Sequence, residues 1–367
     1  MRADPDLHAR LDRAGSHIDV DAHRRLAEIH AVAERRSRTS RNRALAVAAV
    51  VGILAVLAAW QLRFSEDRAP VPGATAGPSG LIAYLGAYEG SRDLFVLDAS
   101  TGESRPLYEG RATVLWGAWS PEGSRLALIL ELDGSGYEVV VADADGSDPV
   151  TIVERDDTGA VGPDLLKLAW SPDGSRIAYA GRTQQRGVAN RTIFVVDADG
   201  SGRPMVLDGH WEDVSWSPDG RRLVLVGFPD PKDPTFDLYT SDPDGSNLAR
   251  LTDDASIERT PSWSPDGSQI VFSAESVPGI FVIAADGSDV RRLTDRGGWD
   301  LLPVWSPDGA WIAFTSDRGA TPEQQTANRS GDDVTGFALY LMRPDGSDVR
   351  PLVEEDGALL YPTSWTR

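Results

Sequence analysis

The chain has 367 residues, a formal net charge of −20, 41% hydrophobic residues and no cysteine. The absence of cysteine excludes disulfides, thiolate metal sites and a cysteine nucleophile. The acidity argues against nucleic acid as a partner, because phosphates would be repelled.

Residues 1–43 hold ten arginines against seven acidic residues, a net +3, so the remainder of the chain carries −23. Ala22, Leu26, Ile29 and Ala33 recur at helical spacing and predict a short amphipathic helix from Asp21 to about Arg36. It is too small for a core of its own, but could dock on a cytosolic partner; the plainer alternative is a topogenic tail. His17, His23 and His30 are six and seven residues apart, near 10 Å on a helix, too far to share one metal ion.

Residues 44–62 (Ala44 to Leu62) are uncharged, with Gln61 the one strongly polar side chain, and are about long enough to cross a bilayer as a helix. Five arginines precede this stretch after Glu34, whereas charges roughly balance beyond it. The expectation is therefore one membrane span with the amino terminus in the cytoplasm and the rest of the chain extracytoplasmic. A cleaved signal peptide is the alternative, but its charged leader would be unusually long. Residues 63–79, rich in Pro, Gly and Ala, read as a tether.

From residue 80 to 367 the chain repeats. Trp-Ser-Pro-Asp/Glu-Gly occurs at Trp119, Trp170, Trp216, Trp263 and Trp305, and a bare Trp365 ends the series; successive spacings are 51, 46, 47, 42 and 60 residues. That is the period of one four-stranded propeller blade with loop insertions. Pro and Asp-Gly set a tight turn after each Trp strand. In one unit the strands are expected at Leu165–Trp170, Arg176–Ala180, Thr192–Asp197 and Pro204–Leu207. Second strands begin near Leu81, Leu126, Ile177, Leu223, Ile270 and Ile312, and six later turns follow, from Thr101-Gly102 to Asp345-Gly346, so six blades are expected. Gly80 to Leu107 lacks a Trp strand and Leu360 to Trp365 is a Trp strand without a blade. The two ends should pair and close the ring. The fold class is thus all-β, a six-bladed β-propeller preceded by one transmembrane helix.

The string Pro303-Val304-Trp305-Ser306-Pro307-Asp308-Gly309 followed by Ile312-Ala313-Phe314, with Asp286-Gly287-Ser288 and Arg292-Leu293-Thr294 before it, resembles the propeller repeat of TolB-like proteins. The resemblance spans about residues 80–367 and implies the propeller fold. TolB is a soluble periplasmic protein with a mixed α/β domain before its propeller, and it binds a peptidoglycan-associated lipoprotein. Here a predicted anchor stands where that domain would be, so the lipoprotein partner does not carry over. Similar repeats gate prolyl oligopeptidase-type enzymes, but this chain has no room for their catalytic α/β-hydrolase domain.

No cofactor, catalytic residue or metal site is predicted. The propeller has one histidine, His210, and no Gly-x-Ser-x-Gly elbow for a hydrolase triad. The Asp-x-Asp-Gly stretches ending at Gly146, Gly200 and Gly245 lack the remaining ligands of a calcium loop and fall where a hairpin must turn. Paired carboxylates of a glycosidase remain open.

Strand alternation puts both kinds of repeat turn on one face and the variable connections on the other: Arg182–Arg191, Phe228–Phe236, Asp317–Gly336 and the blade-to-blade loops. Variable loops on a rigid scaffold are where binding is expected. The candidate binding residues are Asp164, Arg182, His210, Trp211, Asp213, Glu258, Arg259, Trp299, Asp300 and Arg318, with those shortly before each Trp expected at the mouth of a central channel. The predicted function is a non-catalytic, membrane-anchored propeller that binds a protein or peptide as an envelope scaffold or sensor. The alternatives are a transmembrane regulator, similar in layout to anti-sigma factors, whose tail binds a transcription factor, and, more distantly, a carbohydrate-active or peptide-cleaving enzyme.

Overall fold

The computed structural model describes residues 78–366 apart from 89–90, 109–111, 132–136, 154–166, 186–187, 231, 233, 254–255, 295–297, 331–335 and 354–358. The predicted tail, the span over 44–62 and nearly all of the tether lie outside the described residues. No helix among the described residues is long and apolar enough to cross a membrane.

Among the described residues, twenty-four strands form six four-stranded antiparallel sheets, the six blades. Blade 1 joins the two ends of the described chain: β1 (Leu81–Tyr88), β2 (Ser91–Asp98) and β3 (Ser104–Tyr108) are completed by β24 (Leu359–Thr366). Blade 2 comprises β4 (Thr113–Trp119), β5 (Arg125–Glu131), β6 (Tyr137–Asp143) and β7 (Val150–Val153). Blade 3 comprises β8 (Leu168–Trp170), β9 (Arg176–Gln185), β10 (Val188–Asp197) and β11 (Met205–Val206). Blade 4 has β12 (His210–Trp216), β13 (Leu223–Phe228), β14 (Asp237–Ser241) and β15 (Ala249–Arg250). Blade 5 has β16 (Glu258–Trp263), β17 (Gln269–Ala274), β18 (Gly279–Ala284) and β19 (Arg291–Arg292). Blade 6 has β20 (Asp300–Trp305), β21 (Ile312–Ser316), β22 (Ala338–Met342) and β23 (Arg350–Val353). Second strands start within one residue of their expected positions.

Ring closure takes the expected form. β24 pairs with β1 from Leu81 opposite Thr366 to Ala87 opposite Leu359, and the Trp365 indole donates to the Ser79 carbonyl at 2.9 Å. Gly80, at φ +97°, sits so close that a Cβ there would lie 2.2 Å from the Thr366 carbonyl oxygen. Only glycine lets the entering chain meet the leaving one.

The repeat motif works through its side chains. In blade 3, Ser171 Oγ accepts the Arg176 amide at 2.9 Å and donates to Asp173 Oδ1 at 2.6 Å, while Asp173 also accepts the Ser175 amide at 3.0 Å. Ser217–Asp219, Ser264–Asp266 and Ser306–Asp308 repeat this arrangement. The Trp rings are buried between blades, and arginines six residues after one Trp stack over the next: Arg125 on Trp170, Arg176 on Trp216 and Arg222 on Trp263, all at 4.8–4.9 Å. Such contacts tie each blade to its neighbour. The Asp-x-Asp-Gly stretches are hairpin turns; Gly146, Gly200 and Gly245 each donate their amide to the carbonyl three residues earlier.

Two local expectations need correction. Most of Arg182–Arg191 is strand: β9 runs to Gln185 and β10 begins at Val188, with Arg182 opposite Arg191, because backbone bonding extends past the last apolar residues. The insert over Asp317–Gly336 contains a helix, α1 (Pro322–Ser330). Its start is a capping box, with Gln324 N donating to Thr321 Oγ1 at 3.3 Å and Thr321 N to Gln324 Oε1 at 2.9 Å.

Removing residues 359–367 takes away the strand that closes blade 1, and the full chain lacking them is expected to melt at a substantially lower temperature; an unchanged melt would contradict closure. A second expectation concerns acid. The Ser171 hydroxyl, with the Ser175 amide, holds the Asp173 carboxyl down at about 2, and Ser217 and Ser264 lower Asp219 and Asp266 likewise. An unfolded Asp titrates near ~3.9. The stabilisation is therefore complete above about pH 4 and lost as pH falls toward 2. Replacing Ser171, Ser217 and Ser264 by alanine should flatten the fall in melting temperature between those pH values.

Candidate functional site

The innermost strand of every blade is the one that ends in the repeated Trp, and its alternate residues face the axis. Numbering back from each Trp, the residue one before is Ala118, Ala169, Ser215, Ser262, Val304 or Ser364. These mostly small side chains line a central cavity of about 380 Å³. The residue three before is Trp116, Lys167, Asp213, Thr260, Leu302 or Pro362, and these six form a second ring around the same cavity. The exposed Pro218 and Pro265 of the repeat turns also line it, so it reaches solvent at the uniform face.

The inner strands are bulged near this second ring. Register shifts fall between Val114 and Trp116, Trp211 and Asp213, Arg259 and Ser262, and Leu301 and Val304, and between Ala83 and Tyr84 against β24. Thr260 and Leu302 take φ of +53° and +55° there. A bulge adds a residue and re-aims side chains, and these shifts fall in five of the six inner strands; β8 pairs with β9 without one.

Lys167 and Asp213 are the charged members of that ring. Lys167 is only 6% exposed and its ammonium lies 3.7 Å from the centre of the Trp116 ring. Burial pushes its pKa down to about 8, with Asp213 opposing the shift and Arg259 adding to it. Asp213 is buried and accepts the Thr260 amide at 3.0 Å, linking blades 4 and 5.

Outward from the axis, two ion-pair clusters hold the starts of the inner strands. Glu212 receives guanidinium groups from Arg191 of blade 3 and Arg259 of blade 5, and His210 Nε2 lies 3.5 Å from it. Arg259 Nε also pairs with Glu275 at 2.9 Å. Burial alone would raise the Glu212 carboxyl, but Arg259, then His210 and Arg191, hold it well below the usual carboxylate range. His210 stacks on Phe228 at 4.7 Å and meets Phe236 edge-on at 5.8 Å. In blade 6, the fully buried Asp300 accepts Arg318 Nη2 on both of its oxygens, at 2.8 and 2.9 Å, and the Ser316 hydroxyl at 2.6 Å. Next to it, Asp317 accepts the Trp299 amide at 2.6 Å and the Asn328 side chain at 3.1 Å, which anchors α1.

The candidate residues therefore separate. Asp213 lines the cavity. Glu258, Arg259 and Asp300 were expected at the channel mouth, but begin β16 and β20 outside the cavity lining; Glu258 is 1% exposed and Asp300 0%. Their charges are buried because ion pairs and hydroxyls satisfy them, as Thr252 does for Glu258 at 3.3 Å. Trp211 is core, with its indole donating to the Asp208 carbonyl at 2.8 Å. His210 starts β12, and Trp299, Asp300 and Arg318 share one corner of blade 6. Arg182 lies in β9, and Asp164 lies outside the described residues. Sequence reasoning missed Lys167, Arg191 and Glu212. Aligning the repeats on their Trp residues places Lys167 level with Asp213 in the axial ring, whereas nothing in the sequence pairs Arg191 with Glu212.

The fold and its axial cavity define a six-bladed β-propeller. Residues 132–277 match the family described as TolB beta propeller domain. An uncharacterized protein of Agrobacterium fabrum is 31% identical over 160 residues, 42% of this chain and 49% of its own. The Tol-Pal system protein TolB of Bordetella pertussis is 33% identical over 156 residues, 42% of this chain and 33% of its own. The match thus spans half or less of these relatives. The crystal structure of TolB from Acinetobacter baumannii superposes with a TM-score of 0.62 at 17% identity, covering 80% of this chain and 68% of that one, a likeness of fold.

Glu212 tests the clusters. Glu212→Ala leaves Arg191 and Arg259 facing each other and should cost about 3 kcal/mol of stability. Arg191→Met, Glu212→Leu and Arg259→Met combined should cost less than that single change. Denaturant unfolding checks both; a harmless Glu212→Ala would mean that the cluster does not hold the blades together.

Proposed function

We propose that this protein is a non-catalytic binding propeller, anchored by residues 44–62 with its amino terminus in the cytoplasm, that captures a protein or peptide outside the cytoplasm as an envelope scaffold or sensor. The observation that carries the non-catalytic part is the state of the carboxylates: Glu212 is shared by two guanidiniums and Asp300 is clamped by Arg318. Carboxylates neutralised in this way hold the scaffold together and are poorly suited to proton transfer. The Bordetella relative is by its name a component of the Tol-Pal system, which supports a role in a protein assembly. The repeat scaffold supports placing the partner on the variable face, around Arg182, His210, Trp299 and Arg318.

Crosslinking in intact cells tests this reading. The full chain and a version lacking residues 1–40 should capture the same envelope proteins, and Trp299→Ala with His210→Ala should reduce that capture when assayed well below the variant's own melting temperature. Capture confined to a cytosolic protein, lost with the first 40 residues, would replace the scaffold reading with a signalling one.

A further inference from the structure

The axial cavity contains a charge that the fold itself does not use. Lys167 is more than nine-tenths buried, lines the cavity and, among the described residues, has no hydrogen-bond or ion-pair partner for its ammonium. The Trp116 face, 3.7 Å away, stabilises the cation from one side. It accepts no conventional hydrogen bond from an ammonium that carries three donors. Asp213 is the opposite charge that acts on it, yet no ion pair joins the two within 4.0 Å, and one Asp213 oxygen already holds the Thr260 amide. Burying a cation without hydrogen-bond partners is costly, and a protein that is −20 overall has many acidic residues that could have closed the pair.

We propose that the axial cavity is a carboxylate-binding site, in which Lys167 receives the carboxylate of a ligand entering from the Trp-Ser-Pro face. The small residues Ala118, Ala169, Ser215 and Ser262 leave the room, and the exposed prolines mark the entrance. A single carboxylate matches the site's one cation and gains charge-assisted hydrogen bonds from it. A phosphate matches it poorly, because among the described residues Lys167 is the one cationic side chain in the lining and Asp213 stands in the same ring. The carboxylate could belong to a chain terminus or to an acidic side chain. The proposal does not rest on the partner at the variable face, since its readout is independent of crosslinking.

The sequence makes the test direct, because Lys167 and Lys232 are the only lysines and Lys232 is exposed. Full-length protein labelled with ¹³C at lysine Cε gives one reporter in the cavity and one control outside it. N-acetylglycine models a chain terminus, the N-methylamide of N-acetylaspartate models an acidic side chain, and N-acetylglycinamide is the uncharged control. The expected result is a saturable shift of the Lys167 signal with one or both carboxylates, an unmoved Lys232 and no effect of the amide. A response to N-acetylglycine alone assigns the site to chain termini; a response to both assigns it to carboxylates in general. Asp213→Asn, which removes the competing anion, should tighten binding several-fold, and Lys167→Gln, checked for an unchanged melt, should abolish binding measured by calorimetry. No Lys167 response to either carboxylate, an equal response to the amide, or weaker binding by Asp213→Asn would overturn the proposal.

Discussion

The pairing of β24 with β1 is the constraint on which the rest of the molecule depends. An open arc of six sheets would leave two blade faces and two strand edges in water. Closing it buries Ile82, Tyr84, Leu97, Leu360 and Trp365 with Trp311, Leu339 and Leu341 of blade 6 in one cluster. Closure also fixes the axis. Every inner strand is then held at one distance from it, and a position in the repeat becomes a position in a ring.

That geometry explains why one motif serves several ends. The Trp at the end of each inner strand packs between blades, and three successive contacts place an arginine from one blade over the Trp of the next. Counting back two places from the residue before Trp reaches a second position that lines the cavity. There the repeat stops conserving its chemistry along the chain: Trp116, Lys167, Asp213, Thr260, Leu302 and Pro362 share a place and no property. Packing dictates the uniform positions, and the axial ring is free of that demand. It is the part of the propeller in which specific chemistry can differ without loosening the blades.

The fold was largely legible in the sequence because its signals are local and repeated: Trp-Ser-Pro-Asp-Gly ends a strand and turns the chain, and the unpaired Trp365 called for the strands at Gly80 onward. The site was far less so. Charged residues before each Trp suggested solvated loops, but His210, Glu258 and Asp300 begin strands; Glu212 and Asp300 are buried by partners distant in sequence, and Glu258 by the nearby Thr252. Arg191 meets Glu212 only when blades 3 and 4 dock, and Arg259 meets it only when blades 4 and 5 do. The β9–β10 hairpin runs on through Arg182, Gln184 and Arg191 without apolar alternation, so no periodicity announced it. Lys167 was visible as one of two lysines, but its meaning came from the ring that it completes.

Amide hydrogen exchange on the full chain tests the closed ring most directly. In a ring fastened by β24 on β1, the paired amides of Ile82 to Leu85 and of Leu360 and Tyr361 belong to the same cooperative unit as β5 and β13, and should exchange as slowly as those central strands. Exchange at those residues as fast as in the exposed turns, with β5 and β13 still protected, would show an open arc and contradict the account.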